Sequence, residues 1–522
     1  MSLPKHWRPL AAYLILALVI LGPTLRPGYI LTLDMVFTPN MHLWIIPAWL
    51  VQKLMLVAIF TAAGLGLHRL APTKNSVARY AAGLFYVLNP FTYERLMAGQ
   101  YLVLAGYALL PWLLVAILAW LKKPGLRQAV PVALITAAIG FLSLHTFGFA
   151  AIIIALAALL ALWRARRTPT ALGNLLLSAA LIAGLTGAAS SPWLVPLLTG
   201  HSQTSASIAG FDTRHFLSFR TQGDAHLGVP GNVLALYGFW GERNDWYTLP
   251  KSPYWLLLLA ALLALVATGV TAAWRTRKAP TALLLAILIL GWVLAQGIMD
   301  NPFALLNNWL LEHLPFYRGY REPGKFIALV ALAEAYFLAP GVAALLNWLR
   351  QKRPSLIPTA AALALVLPVL YTPTMLLGAG GQLTSTDYPA DWYALNRTLA
   401  AEHSQTKILV LPWHQYLYYD FAGRLIANPS SGFFGPRAIQ GDNAEIGLIY
   451  TQNPNPTSTF IEQKILDSQS GRTDLAPRLA TLNVQYVLLE KTADYPDYSW
   501  LDHQPGLTLT QDSKTYRLYR RE

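Results

Sequence analysis

The sequence predicts a mostly α, polytopic membrane helix bundle of about eleven spans, followed by a small C-terminal α/β domain. Three observations predict it. The 522 residues are 55% hydrophobic and only 12% charged, against about 25% charged in a typical soluble protein. Long apolar runs recur with short gaps between them. After about residue 377 the runs shorten to strand length and the charge rises.

A helix needs about 20 apolar residues to span a bilayer, fewer if kinked or covered by neighbours. Such runs fall near 10–24, 43–67, 77–91, 100–121, 128–144, 146–163, 171–198, 253–274, 280–298, 325–349 and 356–377. The first is followed by Gly-Pro-Thr-Leu-Arg-Pro with no small-residue cleavage site, so it is expected to remain as a helix. Pro192 and Pro196 are expected to break the seventh. No internal repeat stands out, which argues against a transporter built from inverted repeats.

The net charge is +14. In a soluble chain this would suggest nucleic acid, but here the basic residues sit in short gaps. Lys5 and Arg8 precede the first run. Arg69, Lys74 and Arg79 lie between the second and third. Lys122, Lys123 and Arg127 follow the fourth, and Arg164, Arg166 and Arg167 the sixth. Arg275, Arg277 and Lys278 follow the eighth, and Arg350, Lys352 and Arg353 the tenth. Every second gap is basic and free of acid, which makes these gaps cytoplasmic and argues against a nucleic-acid partner. The absence of cysteine removes disulfides, thiolate metal sites and cysteine nucleophiles.

The alternate gaps face outward and carry most of the remaining polar chemistry. The first, Tyr29 to His42, holds Asp34 in apolar or neutral surroundings. A lone carboxylate at the mouth of a membrane segment is costly to desolvate and is a functional candidate. The bland alternative is a loop aspartate facing water. The second, Asn89 to Gln100, holds Glu94 and Arg95, which serve either a reaction or a local ion pair at a helix end. The long gap from Thr199 to Ser252 holds Asp224-Ala-His226, half of a metal site or a polar capping loop. Trp240, Trp246 and Tyr247 in the same gap offer sugar-stacking faces, as does Trp413 further on. Aromatic residues there also serve as membrane anchors.

Arg318, Arg321 and Lys325 lie just before the tenth run, on the side where positive charge is disfavoured. Three cations there call for an anion. A phosphate suits the planar arginine fork, and Pro323-Gly324 opens a helix whose N-terminus favours one. Pairing with Glu312 and Glu322 is the alternative. No Walker loop, nucleotide fingerprint, His-Glu-x-x-His helix or Gly-x-Ser-x-Gly elbow is present.

In residues 378–522, Lys407–Pro412 and Val484–Glu490 read as buried strands. Pro389–Ala401 and Asp474–Leu482 read as helices, and Thr508-Leu-Thr with Thr515-Tyr-Arg-Leu-Tyr as a closing hairpin. The division is thus 1–377 for the membrane domain and 378–522 for an outer domain.

Taken together, Leu33-Asp34-Met35, the segment Leu88-Asn-Pro-Phe-Thr-Tyr-Glu-Arg with Leu109-Leu-Pro-Trp112, Arg321-Glu-Pro-Gly-Lys-Phe326, Val410-Leu-Pro-Trp413 and Asn483-Val-Gln-Tyr-Val487 carry a resemblance. The chain resembles the GT-C superfamily of membrane glycosyltransferases, within it the arabinofuranosyltransferase-like and YfhO-like group. The resemblance implies a polyprenyl-phosphate sugar donor, a glycan, lipid or protein acceptor, and the first-loop acid Asp34 as general base. Asp34 has no acidic neighbour two residues away, unlike several GT-C families. A divalent cation (Mg or Mn) therefore stays an open option, with no cofactor or metal ligand assigned, and Glu94 stays a competitor for the base. Arg318, Arg321 and Lys325 are the expected phosphate ligands. Trp240, Trp246, Tyr247 and Trp413 are the expected sugar contacts. A lipid or polysaccharide transporter, or a non-catalytic assembly protein of the cell envelope, is the alternative reading. The transporter reading needs a polar path, and Glu334 is the main acid within the runs.

The alternating basic gaps predict a cytoplasmic N-terminus and an extracytoplasmic C-terminal domain in the cell membrane. A topology reporter fused after Glu522 should be active only outside the cytoplasm; activity confined to the cytoplasm would invert every assignment above.

Overall fold

The computed structural model describes residues 7–166, 168–401, 406–446, 449–451, 455–466, 474–492 and 494–522. Lys5 and Arg167, used above for orientation, lie outside them. Among the described residues nine helices are long and apolar enough to cross a membrane, and the chain is a multi-pass membrane protein. The remaining two of the eleven expected runs are the shorter helices Ser76–Val87 and Leu126–Leu142.

Two details differ from expectation. The second long helix starts only at Ala48. Leu43 and Ile46 exchange two backbone hydrogen bonds (3.1 and 2.9 Å) around Trp44-Ile45, closing a turn just before Pro47. The seventh run is not broken at its prolines: Pro169–Leu198 is one helix with Pro192 and Pro196 inside it. Each proline removes one backbone donor, and a membrane helix tolerates such a local loss where neighbouring groups re-satisfy the backbone.

The chain divides into two compact units. The first comprises the residues up to Gly22 and those from Leu56 to Gln382. The second comprises Pro23–Met55 and Leu383–Glu522. Pro23–Met55, assigned above with the membrane domain, thus clusters with the residues from Leu383 on.

Small residues set the packing of the first unit. Helices Trp255–Thr276 and Ile327–Lys352 approach each other through Gly269 and Gly341, where an added Cβ would collide with the carbonyl oxygens of Phe337 and Leu265. This close approach of backbones is the usual way apolar helices associate in lipid, where burial of apolar surface supplies no driving force. Ile327–Lys352 is buried along most of its length, so the segment that precedes it is anchored on the central helix of the bundle.

The second unit is built on a five-stranded mixed sheet, in the order Leu507–Asp512, Tyr516–Arg521, Val484–Glu490, Lys407–Leu411, Ala438–Ile439. The first two pairings are antiparallel and the last two parallel. The two expected buried strands are its centre. Leu409, Leu411, Val487 and Leu489 pack with Ile461, Ile465, Leu475 and Leu479 into one core. The loop that follows the first helix is tied into this unit by backbone pairing. Tyr29–Ile30 pairs with Ser385–Thr386, and Leu33 O accepts from Ala427 N at 2.8 Å. Thr38 Oγ1 donates to Gly432 O, and Tyr388 Oη donates to Phe37 O, both at 2.9 Å.

One carboxyl lies inside this unit. Glu490 is fully buried and accepts from Tyr419 Oη (2.6 Å) and from the Ser430 hydroxyl. Burial raises its pKa to about 7, with the Ser430 and Tyr419 hydroxyls working in the opposite direction. A raised folded-state pKa contributes stability that is present below the unfolded value of about 4.3 and lost as pH rises through about 7. Amide exchange of Lys407–Leu411 should therefore quicken between pH 5 and 8, and Glu490→Gln should flatten that dependence. An unchanged slope in the variant would assign the pH dependence elsewhere.

Candidate active site

The short helix Pro90–Met97 positions the acidic and basic groups of the first unit. It begins at Asn89, whose Oδ1 accepts from Thr92 N (3.1 Å) while Thr92 Oγ1 accepts from Asn89 N (3.3 Å), a capping box with Pro90 at the first turn. Every residue of this helix is buried. Glu94 and Arg95 are adjacent on it and so point in different directions. They do not form a local pair. Each joins a separate network.

Arg95 donates to Glu322 Oε1, a residue 227 positions away, and to Gln100 Oε1 at 2.9 Å. Lys325 Nζ is 3.0 Å from Glu322 Oε2 and 3.2 Å from His145 Nε2. Arg95 is 0% exposed, Glu322 5% and Lys325 8%. Two buried cations thus share one carboxylate. Burial by itself pushes the Glu322 carboxyl up, but the charges and hydrogen bonds of Arg95 and Lys325 outweigh it and hold the group at about 2. Arg95 Nε and Nη2 are buried and have no hydrogen-bond partner among the described residues. The Arg95 guanidinium also lies over the rings of Phe239 (4.5 Å) and Phe91 (5.3 Å). Arg321, half-buried, lies over both Phe211 (4.2 Å) and Phe219 (4.6 Å). Arg318 is half-buried as well.

Glu94 is 1% exposed and hydrogen bonds to Glu242 in the turn Trp240–Asn244. Two carboxyl groups can bond to each other only with a proton between them. Burial first, and then the Glu242 charge, raise Glu94 well above the usual carboxylate range. Glu242 accepts the Gly238 backbone N–H, and its Oε2 lies 3.5 Å from Asn232 Nδ2, contacts that favour its ionised form. Burial raises Glu242 as well, but the Glu94 hydrogen bond, the Gly238 N–H and the Lys251 charge work against it, so of the two Glu94 is the more strongly raised. Lys251 stands nearby, bonded to Asp224 Oδ2 (2.8 Å) and Asn232 Oδ1 (3.0 Å) and lying over Tyr237 and Trp255.

Next to this pair opens a pocket of about 490 Å³, lined by Glu242, Asp245, Trp246, Tyr247 and Gln382 among others. Gln382 closes one side by accepting from Thr248 N (2.8 Å) and donating to Tyr93 Oη (2.9 Å). Of the aromatic residues expected to stack on sugars, Trp246 is 39% exposed and Tyr247 half-buried, and both line this pocket. Trp240 is 4% exposed, set edge-on against Trp246 at 5.2 Å, so it presents no free face. Trp413 lies in the core of the second unit, 3% exposed, with Nε1 bonded to Glu462 at 3.0 Å. Asp34 is an exposed residue of the second unit and accepts from Tyr416 Oη at 2.8 Å.

The spacing of Asp224 and His226 reflects a turn. Asp224 Oδ1 accepts from the backbone of His226 (2.9 Å) and Leu227 (3.3 Å), and Oδ2 pairs with Lys251. No three His, Asp or Glu side chains converge as metal ligands among the described residues, so no ligand set for a divalent cation is assigned. The reading of single segments missed Arg95–Glu322 and Glu94–Glu242 as pairs. Buried positions in a polar stretch such as Tyr93-Glu-Arg were the available signal.

No protein-family model matches the chain, and no curated protein is similar to it in sequence. Solved structures do match. The cryo-EM structure of arabinofuranosyltransferase AftD from Mycobacteria superimposes with a TM-score of 0.65 at 16% identity, covering 100% of this chain and 40% of that one. Two structures of a mutant of that enzyme match at 0.64 and 0.59, again at 16% identity. The chain thus spans about two fifths of the length of AftD. At this identity the likeness is one of fold: the chain shares the fold of that arabinofuranosyltransferase, in keeping with the polytopic helical fold and the small α/β domain expected from the sequence.

The shared carboxylate generates a test. Glu322→Gln leaves Arg95 and Lys325 buried without a counter-charge, which should cost ~3–5 kcal/mol of stability, seen as a lower unfolding temperature in detergent or nanodiscs. The Glu322 pKa is lowered on folding, so its contribution is present above the unfolded value of about 4.3 and lost as pH falls towards about 2. A variant as stable as the wild type at pH 7 would refute the shared-carboxylate account.

Proposed function

We propose that the chain is a membrane glycosyltransferase working on the extracytoplasmic side, with a polyprenyl-phosphate-linked sugar as donor and a glycan, lipid or protein as acceptor. The observation that carries this reading is the two-to-one ratio of buried cations to carboxylate at Arg95, Lys325 and Glu322, with two Arg95 nitrogens lacking hydrogen-bond partners among the described residues. Such a cluster is completed by a second anion, and a phosphate supplies one with several acceptor oxygens. The GT-C fold adds an analogy of fold, which raises the prior but assigns no residue. Nucleotide sugars are cytoplasmic, so an outward site takes its sugar from a lipid carrier.

The chemistry follows from the groups. An acceptor hydroxyl attacks the anomeric carbon. The new C–O bond forms as the bond from that carbon to the phosphate oxygen breaks, and polyprenyl phosphate departs with the bonding electrons. Positive charge stabilises that leaving group without a proton donor. Arg321 and Arg318 are the more accessible cations, with Lys325 and Arg95 behind them. The acceptor proton goes to a carboxylate. Glu94 is 1% exposed and is raised well above the usual carboxylate range by burial and the Glu242 charge, so we assign the base to Asp34, an exposed carboxylate steadied by Tyr416. No step is routed through a metal.

Asp34→Asn should keep fold and donor binding and lower turnover at least about a hundredfold, measured with a polyprenyl-phosphate sugar in nanodiscs. Near-normal turnover in that variant with a large loss in Glu94→Gln would transfer the role to Glu94. Arg321→Ala should weaken binding of a polyprenyl-phosphate analogue and slow transfer together, by roughly ten- to a hundredfold. Arg321→Lys should rescue only in part, because a point charge makes no bidentate contact. Unchanged affinity in a folded Arg321→Ala protein would refute the phosphate role.

A further inference from the structure

We propose that the pocket bounded by Glu242, Asp245, Trp246, Tyr247 and Gln382 is a subsite for a neutral, hydroxyl-rich ring, a sugar unit of the acceptor. This rests on the glycosyltransferase reading and deepens it. All five residues belong to the first unit. The volume of about 490 Å³ lies within the roughly 300–1,000 Å³ of small-molecule sites.

The lining selects the ligand. Trp246 supplies an exposed aromatic plane, and buried Trp240 braces it edge-on at 5.2 Å. An aromatic plane suits the apolar C–H face of a sugar. Tyr247 is held by Phe239 (6.3 Å, stacked) and Tyr93 (5.7 Å, edge-on). Its hydroxyl is buried and has no hydrogen-bond partner among the described residues, and neither has Glu94 Oε1 behind Glu242. Buried polar atoms are nearly always paired, so unpaired ones beside a pocket point to a hydrogen-bonding ligand or water. Glu242 and Asp245 add acceptors for hydroxyl donors.

Other ligand classes fit less well. Two carboxylates repel an anion. A cation would want both carboxylates free, but Glu242 is already engaged by Gly238 N–H and by Glu94. A lipid chain would leave these polar groups unpaired. A neutral polyol satisfies the donor at Tyr247, the acceptors at Glu242 and Asp245, and the ring of Trp246 together. Trp240 is then a positioning residue that braces Trp246.

The test uses the full chain in lipid nanodiscs, free of glycoside detergents. Binding of methyl glycosides of arabinofuranose, mannose and glucose is followed by saturation-transfer NMR. At least one should bind. Tyr247→Phe, which removes only the hydroxyl, should weaken it about three- to tenfold, and Trp246→Ala by about tenfold or more. Trp240→Phe should weaken it less than Trp246→Ala, as a bracing role requires. No binding by any glycoside, binding unmoved by both Tyr247→Phe and Trp246→Ala, or displacement of the glycoside by spermidine would overturn the subsite. The two readings fail separately. A wild-type protein that binds glycoside through Trp246 and Tyr247 but neither transfers nor hydrolyses donor keeps the subsite and loses the enzyme. One that transfers sugar with an acceptor KM unaffected by Trp246→Ala keeps the enzyme and loses the subsite.

Discussion

Two buried cations held by one carboxylate are the constraint on which the polar part of the first unit depends. Desolvating Arg95, Lys325 and Glu322 is costly, and their mutual contacts, with help from Gln100, His145 and the Phe91 and Phe239 rings, offset that cost. The arrangement ties the short helix Pro90–Met97 to the start of the central helix Ile327–Lys352. It also brings Lys325 against His145 and leaves two Arg95 nitrogens without a hydrogen-bond partner among the described residues. A helix as buried as Pro90–Met97 has no solvent to satisfy its side chains, so its geometry is set by these distant partners.

Once Arg95 is turned towards Glu322, its neighbour Glu94 must face elsewhere, because successive helical residues diverge. It meets Glu242, whose charge, after burial, raises it above the usual carboxylate range. The turn Trp240–Asn244 that carries Glu242 also presents the braced Trp246 and the left-handed Asp245 (φ 50°). The acid pair and the pocket are therefore parts of one construction, and the ion triad is what orients it. Two adjacent positions of one short helix thus feed two separate networks, one ionic through Arg95 and one acidic through Glu94.

The second unit follows a different logic. Its sheet is a conventional apolar core, and the first outer loop joins it by backbone pairing at Tyr29–Ile30 and at Leu33. Asp34 is thereby presented from a surface stiffened by hydrogen bonds to Ala427, Gly432 and Tyr416. The pairing at Tyr29–Ile30 and the Leu33 bond are backbone bonds, which depend little on side-chain identity, and this is why the apolar composition of the loop reads as membrane-associated although it packs with residues beyond Leu383.

The sequence by itself determined the spans, the two central strands and the concentration of charge before the central helix. These are local patterns: long apolar runs, strand-length runs and charge counted along the chain. It did not determine that Trp413 and Trp240 are buried, that the proline pair leaves Pro169–Leu198 intact, or that the Asp34 loop clusters with the C-terminal domain. Nor did it reveal the partners of Glu94 and Arg95. Adjacent in sequence, they read as a local ion pair, yet one bonds a residue 227 positions away and the other meets the Glu242 carboxyl. The physical reason is burial. In water two neighbouring opposite charges would screen each other locally, whereas in a dry interior each charge needs a directed partner, and only the tertiary fold decides which residues come within reach.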